Sequence, residues 1–447
     1  MAIFDFYVNK MCPHCRFADG YQKRYRQVII PITLVSPLVL LSVLAVAANQ
    51  LKYSREGFGL TALRYQTATL RALSHVIGSV NSATQSQLNV SMSKTEILSA
   101  IWMLCFFEFG NDNTCKPGLS PPAWRVHLEG ARRILELPAS AFGGLSSWSC
   151  DPGVVTFLAG FLASRSVLAY TTVVDPSDEE ALYCGGSYWL SKIGRPSQEI
   201  ENYTNCSNEL LGIILETCHR IRQRKRARTS LPLHEDEEAL RDWRRQTENR
   251  LLHIAQVPPR ALSLEPCSPS LPLLSVSPAS QTSTTTTATE YPPSLPTVYR
   301  IAEAFRHAAL ILLQYLNPNV LVEDNPAVRD SVRTILDLMS AAVPVPPRGK
   351  SGRSIFLWPF FIASCHVQTD EDRMLVLRKF QDLECAVASV SNDTVAPCLR
   401  DVVENVWKQQ DLRKDCVRGK YHLFSSEDWC FEWERAMRVL GYAIDWT

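Results

Sequence analysis

An excess of charge of either sign is what this chain most plainly lacks: 46 Lys and Arg residues stand against 45 Asp and Glu, a formal net charge of +1. Bulk electrostatics therefore select no polyanionic partner, and any nucleic-acid contact would need a local patch. Regular cysteine spacing is missing too. The 14 cysteines are scattered, and only Cys12 and Cys15 form a C-x2-C pair, two ligands short of a zinc site. The opening MAIFDFYVNK has no charged-then-apolar leader, which leads to the expectation of a reducing, intracellular setting where free cysteines act as small apolar residues. Few segments alternate with a two-residue period, which argues against a sheet. No nucleophile with a base, phosphate loop, paired catalytic carboxylates or complete metal set emerges. The expectation is a non-enzymatic protein with no cofactor and no metal.

What is present is helical periodicity. Ser93 and Glu96 have capping-box spacing, so a helix should start there. Ile97, Leu98, Ile101, Trp102, Leu104 and Cys105 follow at three- and four-residue steps, an apolar face. Gly110 to Asp112 end it. Ser120, Pro121 and Pro122 open a second helix that Pro138 closes, with Trp124, Leu128, Ala131 and Leu135 on its inner face. Arg125 with Glu129, and Glu129 with Arg133, are four apart on the wet side. Gly130 costs this helix about 1 kcal/mol relative to alanine, which predicts close approach of a neighbouring helix as compensation. His127 has no second ligand at metal spacing and reads as a hydrogen-bonded core histidine.

This second helix carries a resemblance. Trp124, His127, Leu128, Gly130, Ala131 and Ile134 resemble the W-x-x-H-L-x-G-A-x-x-I signature of the fungal-specific transcription factor domain, the helical regulatory region that usually follows a six-cysteine zinc cluster. Near the N-terminus, Tyr7, Tyr25, Arg26 and Pro31 are similar to the start of that domain. A further match is Leu357, Trp358, Pro359, Asp370, Asp372 and Arg373, which resembles the family's leucine-tryptophan-proline helix followed by an acidic turn. Arg165, Ser166 and His366 stand where an acidic residue is expected. No six-cysteine run occurs in the 447 residues, so the resemblance implies either that the cluster lies in lost N-terminal exons or that a DNA-binding partner makes the DNA contact.

Other stretches invite competing readings. Cys12 and Cys15, flanking Pro13 and His14, suit a thiol oxidoreductase, but no strand precedes them and no βαβ pattern follows. Val28 to Ala48 has no charge and is long enough to cross a bilayer as one straight helix, which would make the chain a membrane-associated adaptor. Pro31 and Pro37 favour instead a buried helix, Pro37 to Leu51, capped by Ser36. Leu60 to Ile77 reads as an amphipathic helix with Leu63, Thr67, Leu70 and Leu73 or Ser74 inward. Val154 to Tyr170 is an apolar helix, and Asp175 to Gly194 a polar loop whose Asp178, Glu179 and Glu180 form a solvated surface. Arg220, Arg222, Arg224, Lys225, Arg226 and Arg228 end the helix from Asn208. They are candidates for nuclear import, for a plain solvated helix end, or for phosphate contact without interleaved aromatics. Gln256 to Thr297, with its TSTTTT run, lacks the apolar content that offsets ordering entropy and reads as a disordered insertion. Asp370 to Asp372 are weighed as a magnesium site and assigned to capping by Thr369.

The expected fold is all-α, a large multi-helix domain of layered antiparallel helices: residues 1–255, the insertion 256–297, and residues 298–447 as a second part of the same domain. The resemblance implies a fungal transcription regulator of RNA polymerase II genes, its effector and dimerisation region, working in the nucleus. Its expected partners are the transcription machinery or a DNA-binding protein, a second copy as homodimer, and a small-molecule effector, with no membrane and no direct DNA contact.

Overall fold

The computed structural model describes residues 2–11, 28–53, 55–81, 93–109, 123–136, 152–194, 197–201, 206–229, 236–257, 297–317, 322–342, 357–387, 395–418, 430–444 and 446. Among the described residues there are sixteen α-helices and no strand. Cys12, Cys15, Tyr25, Arg26, Trp429, residues 110–122 with the expected Pro121–Pro122 helix start, and residues 258–296 of the insertion lie outside the described residues.

Helix α1 (Ala2–Phe6) runs into a π-turn (Tyr7–Met11). Tyr7 is fully buried, and its hydroxyl reaches Met103 Sδ at 3.6 Å. The uncharged stretch after it is not one straight rod. Helices α2 (Val28–Val35) and α3 (Pro37–Leu51) meet at Ser36 at an angle of 119°. There Ser36 Oγ accepts from the Val39 amide at 3.5 Å, and proline at the first position loses no helical hydrogen bond. Helix α4 (Phe58–Asn81) packs back along α3. Its inward face differs from the expected one: Ala62, Thr69, Leu73 and Val76 are buried, while Leu63, Thr67, Leu70 and Ser74 are exposed. The face turned to α3 mixes the small Ala62 and Thr69 with Leu73 and Val76, and helical spacing alone does not distinguish it from the apolar row on the other side.

Helix α5 (Lys94–Phe109) starts at the predicted capping box, with the Glu96 amide donating to Ser93 Oγ at 3.2 Å and the Ser93 amide to Glu96 Oε1 at 3.3 Å. Its predicted apolar face is buried, and so are Ala100, Met103 and Phe107 on other sides. A helix apolar all round belongs in the interior, and α5 touches α3, α4, α6 and α7. Helix α6 (Ala123–Glu136) is its hairpin partner.

Helices α7 (Pro152–Thr171) and α8 (Pro176–Ile193) form the most extensively packed pair. The expected loop from Asp175 to Gly194 is thus a helix. Asp175 Oδ1 accepts from the Ser177 amide at 2.9 Å, and Pro176 fills the first position. Gly185 and Gly186 lower helix propensity and hide this start signal. A Cβ on Gly186 would stand 3.2 Å from Leu215 Cδ2 and 3.4 Å from Val167 Cγ2, so glycine there permits close packing.

Helix α9 (Asn208–Thr229) packs on α7 and α8, then on α11 (Thr297–Gln314), with α10 (Asp236–His253) alongside α11. Gln256, assigned by composition to the insertion, is buried and ordered: its Oε1 accepts from the Ser207 amide at 3.0 Å and its Nε2 donates to Ala302 O at 2.7 Å. Helices α12 (Pro326–Ala342), α13 (Leu357–Ser364), α14 (Asp370–Val387), α15 (Val395–Arg418) and α16 (Glu432–Leu440) complete the structure. Among the described residues α7 is the one single helix long and apolar enough to pass for a membrane span, and α2 with α3 pass only if taken together across their 119° bend; 78% of the α7 stretch is buried inside the protein.

Candidate functional site

The C-terminal end of α7 is where distant parts of the chain converge. The last carbonyls of a helix have no partner within it, and here other segments supply the donors. Arg222 Nη2 of α9 donates to Tyr170 O and Val173 O, each at 3.2 Å. Trp433 Nε1 of α16 donates to Thr171 O at 3.1 Å, and Arg438 to Val174 O at 3.1 Å. Two further indoles reach threonine hydroxyls there: Trp358 Nε1 donates to Thr171 Oγ1 at 2.9 Å and Trp446 Nε1 to Thr172 Oγ1 at 3.0 Å. Cations near a helix C-terminus also oppose its negative dipole end.

Arg222 is the centre of this hub. Its side chain is 2% exposed and pairs with Glu179 of α8 at 3.0 Å and Glu434 of α16 at 2.6 Å. Its guanidinium lies over the rings of Tyr170 and Phe431 at 5.2 and 5.5 Å. Glu434 also accepts from the Cys430 amide at 2.9 Å. Burial pushes the Glu434 carboxyl above the usual carboxylate range, and the Arg222 charge opposes that rise. Burial likewise pushes the Cys218 thiol up to about 12 and Cys430 to about 11, so neither is a thiolate nucleophile at neutral pH.

The basic run is therefore largely engaged within the fold. Arg220 pairs with Glu216 and stacks over Trp243 at 4.4 Å. Arg224 holds Glu237 and donates to Leu316 O at 3.2 Å, while Arg226 pairs with Glu179. Arg226 keeps 55% of its side chain exposed. The Arg228 side chain lies outside the described residues. Glu179 is correspondingly buried, not part of a solvated acidic surface, and Asp178 is held by Arg125 at 2.5 Å. Composition hid Arg222, but spacing marks it. Leu211, Leu215 and Cys218 form an inward stripe whose next step is residue 222.

The motif on α6 packs as an amphipathic face, with Trp124, Leu128, Ala131 and Ile134 buried. Arg125 reaches across to Asp178, not along the helix to Glu129. Glu129 instead takes Arg132 and Arg133 at 2.7 and 2.8 Å, and Arg132 holds its carboxyl down at about 2. The compensation expected for Gly130 is not found among the described residues, where a Cβ would meet nothing within 4 Å. His127 Nε2 lies 3.7 Å from Glu108 Oε1, beyond hydrogen-bond distance, so the hydrogen bond expected of this ring is not made at Nε2 among the described residues; Glu108 Oε1 accepts instead from Gln66 at 2.8 Å.

In the second motif Leu357, Trp358 and Pro359 are buried at the head of α13. Thr369 caps α14 as expected, its Oγ1 accepting from the Asp372 amide at 3.1 Å. Asp370 stands 97% exposed. Arg373 forks onto both oxygens of Asp411 on α15 at 2.8 Å and lies over Trp407 at 5.4 Å. His366 Nδ1 faces Ile362 O at 2.7 Å and its Nε2 faces Tyr315 Oη at 2.9 Å. This pairing suits the neutral ring that burial favours.

Among the described residues no group of three or more His, Cys, Asp or Glu side chains gathers to hold a metal. An apolar cavity between α5, α6, α7 and α8, lined by Trp102, Ala131, Leu158 and Trp189 among others, has free space of ≈ 10 Å³, room for about one water. The buried Trp189 Nε1 finds no hydrogen-bond partner among the described residues. Of the motif residues, Trp124, Leu128, Ala131, Ile134, Leu357, Trp358 and Pro359 are buried, Asp372 is capped by Thr369 and Arg373 pairs with Asp411, whereas Asp370 faces solvent.

Neither a curated protein nor a solved structure matches the chain. The description of the fungal specific transcription factor domain matches residues 2–444. That span contains α1 through α16, Arg222 with its two carboxylates at the end of α7 and both tryptophan-bearing motifs, and the chain belongs to the fungal specific transcription factor domain family.

Proposed function

We propose that this chain is the regulatory and dimerising body of a fungal transcription regulator, acting in the nucleus on genes read by RNA polymerase II. A DNA-binding partner makes the contact with the promoter, and a small molecule or protein acts as effector. The observation that carries the reading is the family match across residues 2–444. The hub supports a mechanism: Arg222, Glu179 and Glu434 join α8, α9 and α16 at the end of α7, so an effector that strains either side of it shifts the balance between two packings of the same helices.

The test is tethering. The full chain fused to an unrelated sequence-specific DNA-binding domain is expected to raise or lower transcription from a promoter carrying that domain's site. A reporter that responds no differently from the DNA-binding domain alone would overturn the reading. Nuclear entry belongs to the same proposal. Within the basic run Arg226 offers the most exposed side chain of the ion pairs described. Residues 208–229 fused to a cytosolic reporter are expected to concentrate it in the nucleus, and a reporter that stays evenly spread removes that signal.

A further inference from the structure

Helix α4 carries a row of apolar side chains on the face turned away from α3. Leu60 is 59% exposed, Leu63 53%, Leu70 38% and Ile77 39%. These are not scattered surface residues, which would need no explanation. Leu63, Leu70 and Ile77 repeat every seven positions, with Leu60, Thr67 and Ser74 alternating beside them, the pattern of a seam that receives another helix. From Leu60 to Ile77 the row is about 25 Å long at the helical rise. Contiguous exposed apolar surface of this kind marks an interaction site.

Charge says what kind of helix fits. Between Phe58 and Asn81 there is no Asp or Glu, while Arg64 and Arg71, two turns apart and both exposed, line one edge of the row, with His75 exposed just beyond. On the other edge Gln66 engages Glu108 of α5. A second copy of α4 laid antiparallel on this face would set Arg64 and Arg71 against the same arginines, and like charges beside a seam disfavour that partner. An acidic helix would find both complementary charges and the apolar seam. We propose that the outward face of α4 docks an acidic amphipathic helix of a partner protein, with apolar residues at seven-residue spacing flanked by Glu or Asp. This names the partner chemistry for the regulatory reading above and draws its biological sense from it, but the assay is a binding measurement that does not depend on transcription.

The probe is a fluorescein-labelled helical peptide with Leu at the seam positions and Glu beside them, compared with a counterpart carrying Lys, each titrated with the full chain and read by fluorescence anisotropy. The Glu peptide is expected to bind saturably and about ten-fold tighter than the Lys peptide, the gain two exposed ion pairs supply. Leu63→Asp with Leu70→Asp should abolish binding while circular dichroism stays unchanged, because both side chains are solvent-facing. Arg64→Glu with Arg71→Glu should reverse the preference, the Lys peptide then binding tighter. Absence of saturable binding, equal binding of the two peptides, or no response to the charge reversal would overturn the proposal. So would self-association in sedimentation that Leu63→Asp removes, which would assign the face to a second copy. Competition by duplex DNA that Arg64→Glu with Arg71→Glu abolishes would assign the arginines to phosphate and overturn it as well.

Discussion

Replacing Arg222 by methionine tests the hub most directly. The arginine side chain is 2% exposed and donates to two carboxylates and two carbonyls. Methionine of similar length removes all four bonds and the positive charge. Glu179 retains Arg226, so most of the cost falls on Glu434, whose side chain is 5% exposed and keeps the Cys430 amide as donor. Breaking a buried pair on one side costs about 3–5 kcal/mol, a large share of the about 5–15 kcal/mol that holds a typical protein folded. The sign of its pH dependence follows from linkage. Burial raises the Glu434 carboxyl above its ordinary value of 4.5 in the folded state. The folded form therefore holds the proton longer, and its contribution to stability falls as pH rises through the folded value. Without Arg222 the folded value rises further, so the gap between wild type and variant should open as pH passes the wild type's own raised folded value and widen toward neutrality. Urea unfolding followed by tryptophan emission at a series of pH values measures it. Adding Glu434→Gln to the variant should recover a substantial part of the loss, because no charge is then stranded. A loss under about 1 kcal/mol that does not vary with pH would mean that the carboxylates stay hydrated, and would refute the reasoning.

Two glycines on neighbouring helices should respond with opposite signs. Gly130→Ala meets open space and should stabilise by about 1 kcal/mol through helix propensity, whereas Gly186→Ala drives a Cβ against Leu215 and Val167 and should destabilise by about 1–3 kcal/mol; thermal unfolding reads both. Ser93→Ala removes the cap of α5 and should cost about 1 kcal/mol, measured the same way. Burial holds His307 down to about 3, below its ordinary 6.5. The unfolded chain then binds the proton first, and stability is lost as pH falls from 6.5 toward 3. His307→Gln should flatten that acid limb in urea titrations, and a limb as steep as the wild type's would assign it to other groups.

Much of the fold was legible because the signals involved are local. The capping box at Ser93, the Ser36–Pro37 break and the Thr369 cap depend on residues three or four apart, and each appears where its spacing predicts. The inward stripes of α11 and α12 are equally local, Ile301, Phe305 and Leu312 on one and Val328, Val332 and Ile335 on the other. The Asp175–Pro176 start of α8 was legible by the same rule, but the Gly185–Gly186 pair lowers helix propensity there, and the close packing that calls for glycine at 186 is a tertiary contact.

What the sequence alone determined is the helical character of the chain, the place of several helix starts and the inward stripes of helices such as α5 and α6, since periodicity and end signals act within one or two turns. Only the tertiary structure decided which face α4 buries, which carboxylate Arg125 takes, and that Arg222 closes a dry ion cluster instead of ending a wet helix. Those outcomes join residues 43 and 212 positions apart. A pairing across that distance leaves no local spacing to read, because it exists only once the helices that carry it have been packed side by side.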